Sequence, residues 1–117
     1  MFDLRLTGPA RKDLDSIDEI RKAVVDEIIE LKKDPKIGHS LKQNLQGAWS
    51  LDFTIKGSGQ YRAAYIIIEA DKVCLVFAIG PHENFYDLVS RRASQLKGLL
   101  KEVKEANKKP SGKKSSS

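Results

Sequence analysis

The sequence predicts an α+β domain: an antiparallel sheet with an N-terminal helix pair on one face and a long C-terminal helix. Three observations predict it. Apolar residues recur every three or four positions between Ile17 and Leu31. The period drops to two, with longer apolar runs, between Trp49 and Ile79. Helical spacing then returns from Val89 onward. A period near 3.6 marks one buried helix face, and a period of two marks a half-buried strand. The resulting element order is β-α-α-β-β-β-α.

Each element has its own signal. Phe2-Asp3-Leu4-Arg5-Leu6 alternates as a short strand, which Thr7-Gly8-Pro9 breaks. Pro9 suits the first turn of a helix, where its missing N–H is not needed. A short helix through about Asp15 follows. Ser16-Ile17-Asp18-Glu19 reads as a capping box opening a second helix. Ile17, Ile20, Val24, Ile28 and Leu31 form its stripe up to Asp34-Pro35, so two antiparallel helices meet around Ser16. Trp49, Leu51, Phe53 and Ile55 alternate with Ser50, Asp52, Thr54 and Lys56, a strand with one wet face. Lys56-Gly57-Ser58-Gly59-Gln60 is a turn. Tyr61–Ile68 is more fully apolar and therefore central. Ala70-Asp71-Lys72 is a second tight turn, and Val73–Ile79 is a third strand closed by Gly80-Pro81. These three strands make an antiparallel meander, which the first strand joins, leaving one sheet face partly open. From Glu83 or Asn84 a helix carries Val89, Ala93, Leu96, Leu100 and Val103 on one stripe. The domain spans 1–107, and residues 108–117, rich in Lys, Ser and Gly, form a disordered basic tail.

Composition narrows the function classes. The 117 residues make one domain, 40% hydrophobic and 32% charged, large enough to bury its own core. Cys74 is the single cysteine, so neither an intrachain disulfide nor a paired-cysteine zinc site can form. The longest apolar runs, Ala63–Ile68 and Val73–Ile79, fall far short of the ~20 residues of a membrane helix. The N-terminus lacks a signal-like apolar stretch, so the expected location is cytoplasmic. The net charge of +5 is uneven: residues 91–117 hold nine bases against two acids, +7, leaving −2 for residues 1–90. A polyanion would therefore be met by the last helix, the tail and a few chosen arginines rather than by a uniform coat.

Few residues can do chemistry. Gly57-Ser58-Gly59 joins two strands and opens no helix, so it is not a phosphate loop. Arg62 lies on the middle strand, and His82, Glu83 and Tyr86 follow the last one. Arg91 and Arg92 follow on the last helix; His39 and Lys42 precede the meander. Arg62 and His82 are expected to flank one hollow. An Arg, a His and a Tyr without metal suffice for RNA phosphodiester cleavage: a base takes the 2′-OH proton, a cation steadies the phosphorane, and an acid protonates the 5′ oxygen. Each residue also has a plainer role. Arg62 suits a structural ion pair, His82 a helix cap and Tyr86 a core position. His39 suits a solvated loop, Arg91 and Arg92 a wet helix face, and Trp49 the core rather than a base-stacking platform.

Three segments resemble the RelE/ParE toxin superfamily of bacterial type II toxin–antitoxin systems, in its RelE-like branch. Leu41-Lys-Gln-Asn-Leu-Gln-Gly-Ala-Trp-Ser50 is similar to that branch's L-K-x-N-L-x-G-x-W-S segment. Gln60-Tyr-Arg-Ala-Ala-Tyr65 is similar to the Y-R-h-h-Y strand, and Ile79-Gly-Pro-His-Glu-Asn-Phe-Tyr86 to the h-G-x-H-x-x-x-Y strand end. The resemblance spans about residues 2–96. It implies a metal- and cofactor-free mRNA endonuclease acting in the ribosomal A site, leaving 2′,3′-cyclic phosphate ends and neutralised by a cognate RelB-like antitoxin. It assigns the scissile phosphate to Arg62 and proton handling to His82 and Tyr86. His39 stands where one branch carries a carboxylate base. Lys42, Lys56, Arg91 and Arg92 are the expected substrate-binding cations. Two lysines that some members carry on the first meander strand are absent: the comparable positions are Ser50, Asp52 and Thr54, and Asp52 would repel phosphate. Two other readings stay open, a ParE-like inhibitor of DNA gyrase and a non-catalytic interaction module.

Overall fold

Alternation at the N-terminus produces β1 (Asp3–Leu6), and Thr7 ends it as the N-cap of α1 (Gly8–Ser16). These elements come from a computed structural model, in which residues 1–98 are described. The Thr7 hydroxyl oxygen accepts from the Ala10 amide at 3.2 Å, and Pro9 occupies the first turn as expected. Ser16 departs from its expected part. It is the last residue of α1, and its Oγ donates to the Asp13 carbonyl at 2.7 Å, so no capping box with Glu19 forms. A hydroxyl in a last helical turn has an unpaired carbonyl within reach, and that local acceptor wins. α2 (Arg21–Ile28) is accordingly shorter than the apolar stripe, with 3₁₀ turns at Asp18–Ile20 and Ile29–Lys32 extending it. The stripe still faces one way, with Val24, Ile28 and Leu31 buried and Ile17 and Ile20 packed beside them.

The remaining strands are β2 (His39–Ser40), β3 (Ala48–Ile55), β4 (Gly59–Ile68) and β5 (Val73–Pro81), in the sheet order β1-β5-β4-β3-β2. Two features go beyond the sequence reading. β2 is a two-residue strand too short to leave a periodic signal, paired with Trp49 and Ser50 of β3. β1 joins the sheet parallel to β5, whereas every other pair is antiparallel. Gly57 and Gly59 hold the β3–β4 turn at φ of 83° and 103°, a region that favours glycine. That turn sets the register that places Asp52 opposite Arg62. Phe77 is an extra residue in β5, a bulge between the Tyr65–Val76 and Ala64–Ala78 pairs.

Both sheet faces bury apolar side chains. The helix pair packs Leu14, Val24, Ile28 and Leu31 against Leu51, Phe53, Ala63, Tyr65, Ile67 and Val76. Each of the Leu, Ile, Val and Phe side chains stabilises the fold by roughly 1.5–3 kcal/mol when fully buried. Trp49 stacks against Tyr65 at 6.3 Å, a core position as expected. The opposite face is covered by α3 (Phe85–Gln95) and by Leu41 and Leu45, which seal Ala48, Ala64, Ile66, Phe77 and Ala78. This cover stops short of Asp52, Thr54 and Arg62, so the expected opening is confined to one end of that face. Leu100, Val103, the expected helix up to residue 107 and the tail lie outside the described residues. No helix among the described residues is long and apolar enough to cross a membrane.

Candidate active site

Side chains alternate along a strand, so the register assigns residues to faces. Arg62 sits between Asp52 on β3 and Gly80 on β5, on the face that α3 covers. Its Nε lies 3.5 Å from Asp52 Oδ1. The same carboxylate oxygen accepts a 2.9 Å hydrogen bond from the buried Ser50 hydroxyl. Among the described residues, neither terminal nitrogen of Arg62 has a hydrogen-bond partner, nor has Asp52 Oδ2. Gly80 offers no side chain, and α3 starts close above it. Tyr86, in the first turn of α3, stands with the Arg62 Cζ 5.4 Å from its ring centre. That is a cation–π stack. Tyr86 is 49% exposed, so it belongs to the surface rather than the core.

A cleft of about 490 Å³ opens beside this stack. Its one wall is Tyr86 and Ser90, one turn apart on α3; its other is the His39–Leu45 segment, including Lys42 and Gln43. His39 pairs with Ser50 across β2 and β3, which puts it on the same sheet face as Arg62. The preceding Gly38 fixes this wall. A Cβ there would strike the Ser50 carbonyl oxygen and stand 2.5 Å from the Tyr65 hydroxyl. Tyr65 in turn donates a 2.6 Å hydrogen bond to the Pro35 carbonyl. The loop that carries His39 is thus tied to a buried phenol, whose pKa burial pushes well above its usual range.

The other expected site residues are more scattered. His82 continues the β5 ladder by donating its amide to the Gln60 carbonyl at 3.0 Å, and its carbonyl accepts from the Phe85 amide. Its side chain is exposed, and among the described residues no hydrogen bond or ion pair joins it to Arg62, Tyr86 or His39. Lys56 is exposed at the β3–β4 turn, four residues along from Asp52, about 13 Å at strand rise. Arg91 is exposed but sits five residues after Tyr86, roughly 140° around the helix from it.

Arg92 departs outright from its expected place. Its two terminal nitrogens donate to the two carboxylate oxygens of Asp13 at 2.8 and 2.9 Å, and one also donates to the Phe77 carbonyl at 3.0 Å. The Asp13 hydrogen bond raises the guanidinium pKa further. Asp13 also accepts from the Ile79 amide at 2.9 Å. β1 pairs with β5 only as far as Val76, so beyond it the bulged strand's backbone groups turn to these side chains. Arg92 therefore clasps α3 to α1 and β5, with both terminal nitrogens committed within the fold.

Sequence reasoning missed Asp13 as a partner, Ser50 as a buried donor and Gly38 as a close-packed position. Asp52 was noted only as a charge unfavourable to phosphate. The signal for its pairing was present: a turn centred on Gly57 makes residues 52 and 62 opposite. Among the described residues no three His, Cys, Asp or Glu side chains are grouped to hold a metal ion.

A family model described as the ParE-like toxin of type II bacterial toxin–antitoxin systems matches residues 5–90. Among solved structures, a mutant E. coli toxin RelE in the free state is similar at a TM-score of 0.63 and 21% identity, covering 80% of this chain and 95% of that one. A chain of the toxin–antitoxin complex RelBE2 from Mycobacterium tuberculosis gives a TM-score of 0.59 at 26% identity, covering 69% and 98%. A YoeB/ParE toxin from Agrobacterium tumefaciens gives 0.56 at 20% identity, covering 69% and 99%. No curated protein sequence matches.

Proposed function

The chain belongs to the ParE-like toxin family of type II bacterial toxin–antitoxin systems, and from that premise we propose that it is a metal-independent endoribonuclease that cuts mRNA, in the ribosomal A site. The observation that carries this reading is the Arg62–Tyr86 stack at the edge of a cleft whose facing wall holds His39 and Lys42. A guanidinium whose terminal nitrogens have no hydrogen-bond partner among the described residues fits the two non-bridging oxygens of a phosphodiester, and its charge balances the extra negative charge of the phosphorane. Tyr86 keeps a hydroxyl beside that charge and offers a flat face to a nucleobase. His39 faces it across the cleft, and His82, two residues beyond the Gly80 that pairs with Arg62, supplies a second imidazole at the strand end. Lys42 holds a neighbouring phosphate. The 2′ oxygen attacks the adjacent phosphorus and the 5′ oxygen leaves, giving a 2′,3′-cyclic phosphate.

Lys56 and Arg91, away from the cleft, meet flanking RNA or ribosome rather than the scissile bond. The similar structures include a toxin–antitoxin complex, and we place this chain likewise under the control of a small RelB-like antitoxin in the cytoplasm, where mRNA and ribosomes are found.

Induced expression without antitoxin, followed by mapping of mRNA 5′ ends, tests the reading. Codon-phased cuts with cyclic phosphate on the upstream fragment are expected. Intact mRNA with a DNA-damage response would replace the reading by inhibition of DNA gyrase. Unimpeded growth would replace it by a non-catalytic interaction module.

A further inference from the structure

We propose that Asp52 is the general base of this site, taking the 2′-hydroxyl proton while Arg62 holds the phosphate. The inference rests on the endoribonuclease reading above. At first sight a carboxylate beside a phosphate-binding arginine is a defect, because it competes with the substrate for the cation. The geometry points the other way.

The ion pair of Asp52 with Arg62 runs through Nε at 3.5 Å, with poor closeness for an ion pair built for stability. It leaves the terminal nitrogens to a ligand. Meanwhile the carboxylate is held from below. Ser50, 1% exposed, donates its hydroxyl to Oδ1 at 2.9 Å. A buried hydroxyl at that position locks the side chain in one orientation, with Oδ2 remaining as the reactive oxygen. Asp52 itself is 45% exposed, so a ribose can reach it. One oxygen fixed and one presented is the arrangement a proton acceptor needs.

The neighbours complete a set. The guanidinium has the carboxylate at its Nε and its Cζ over the Tyr86 ring. A phosphate on the terminal nitrogens then has a proton acceptor and a proton donor as separate neighbours, one for the entering and one for the leaving oxygen. The proton of the 2′-OH goes to Asp52 Oδ2 as the bond from the 2′ oxygen to phosphorus forms. The bond from phosphorus to the 5′ oxygen breaks, and that oxygen takes the proton of the Tyr86 hydroxyl. Transfer of the proton from Asp52 through water to the phenolate resets both groups. No metal or other reactant enters the balance. His39, cross-strand from Ser50 on the same face, is then a positioning residue for the nucleoside beside the base.

The test uses the full chain with ribosomes and a defined mRNA, comparing wild type with Asp52→Asn, Asp52→Glu and His39→Asn. A second measurement follows binding of the same message carrying a 2′-deoxy nucleotide at the scissile position, which cannot be cut. We expect Asp52→Asn to lower the single-turnover cleavage rate by about 10²–10⁴-fold. It should bind the uncleavable message as tightly as wild type or more tightly, because a like charge is gone. Asp52→Glu should recover part of the rate, and His39→Asn should lose less than Asp52→Asn. Asp52→Asn cutting at or above the wild-type rate would overturn the assignment and make Asp52 a competitor for Arg62. Loss of binding in step with loss of rate would overturn it in favour of a structural part. Wild type cutting no message would remove the endoribonuclease reading itself, and this assignment with it.

Discussion

Arg92 and Arg62 each meet an aspartate at the sheet, and the two pairs are built to opposite ends. Arg92 and Asp13 are 20% and 16% exposed, share two hydrogen bonds of 2.8 and 2.9 Å, and each bonds one β5 backbone group besides. Arg62 and Asp52 are 22% and 45% exposed and share one approach at 3.5 Å. The arginines are nearly equal in burial, so burial does not separate a structural guanidinium from a functional one. The number of engaged donors and the exposure of the acid do. The closed pair commits both terminal nitrogens inside the fold, while among the described residues the open pair leaves both without a partner.

Stability measurements put the largest strain on this contrast. Arg92→Ala leaves Asp13 buried without its cation, and chemical denaturation should show a loss of about 3–5 kcal/mol. Asp52→Asn should change stability by less than about 1 kcal/mol. Equal losses would erase the distinction. Next in size, Arg62→Ala should lower mRNA cleavage by about 10²–10³-fold with a melting temperature close to that of wild type. A variant that lost its fold instead would show that the open pair is a second clasp.

Gly38→Ala is expected to cost about 1–3 kcal/mol through overpacking against β3 and Tyr65. Because the strain falls on the loop that carries His39, the His39 NMR signals should shift while those of α1 stay in place. Burial pushes the Cys74 thiol up to about 12 and the Tyr65 phenol higher still. Both groups keep their protons in the fold and give them up on unfolding, so the unfolded chain binds fewer protons. Stability is therefore full below the ordinary thiol pKa of about 8.5 and declines as pH rises above it, by roughly 1–3 kcal/mol near pH 10.5. Cys74→Ala should flatten that decline. Smallest of all, Lys42→Ala should reduce the salt slope of RNA binding by about 0.7.

The meander was legible because its cues are local. The Gly57-Ser58-Gly59 turn and the alternation of Trp49–Ile55 fix three strands and their register without reference to the rest of the chain. Arg62 and Tyr86 were legible for the same reason, lying on one strand and on the helix that follows the next. Arg92 was misplaced because its partner is 79 positions away on α1, joined to it at a bulge that no periodicity announces. The Ser16 hydroxyl had two acceptable local partners, and the sequence pattern does not rank them. β2 is two residues held by pairing alone, beyond the reach of any repeat. His82 reads as a site residue from its motif; its backbone continues the β5 ladder opposite Gln60, and among the described residues its exposed ring makes no hydrogen bond or ion pair.

The pairing of β1 with β5 also orders events on the synthesising ribosome. The first strand to emerge has no neighbour until residues 73–76 have been added, and the arginine and tyrosine of the cleft are themselves separated by the whole of β5. Such distant closures are slow and come late. The stack that borders the cleft therefore closes only after β5 and the first turn of α3 have followed the strand that carries Arg62.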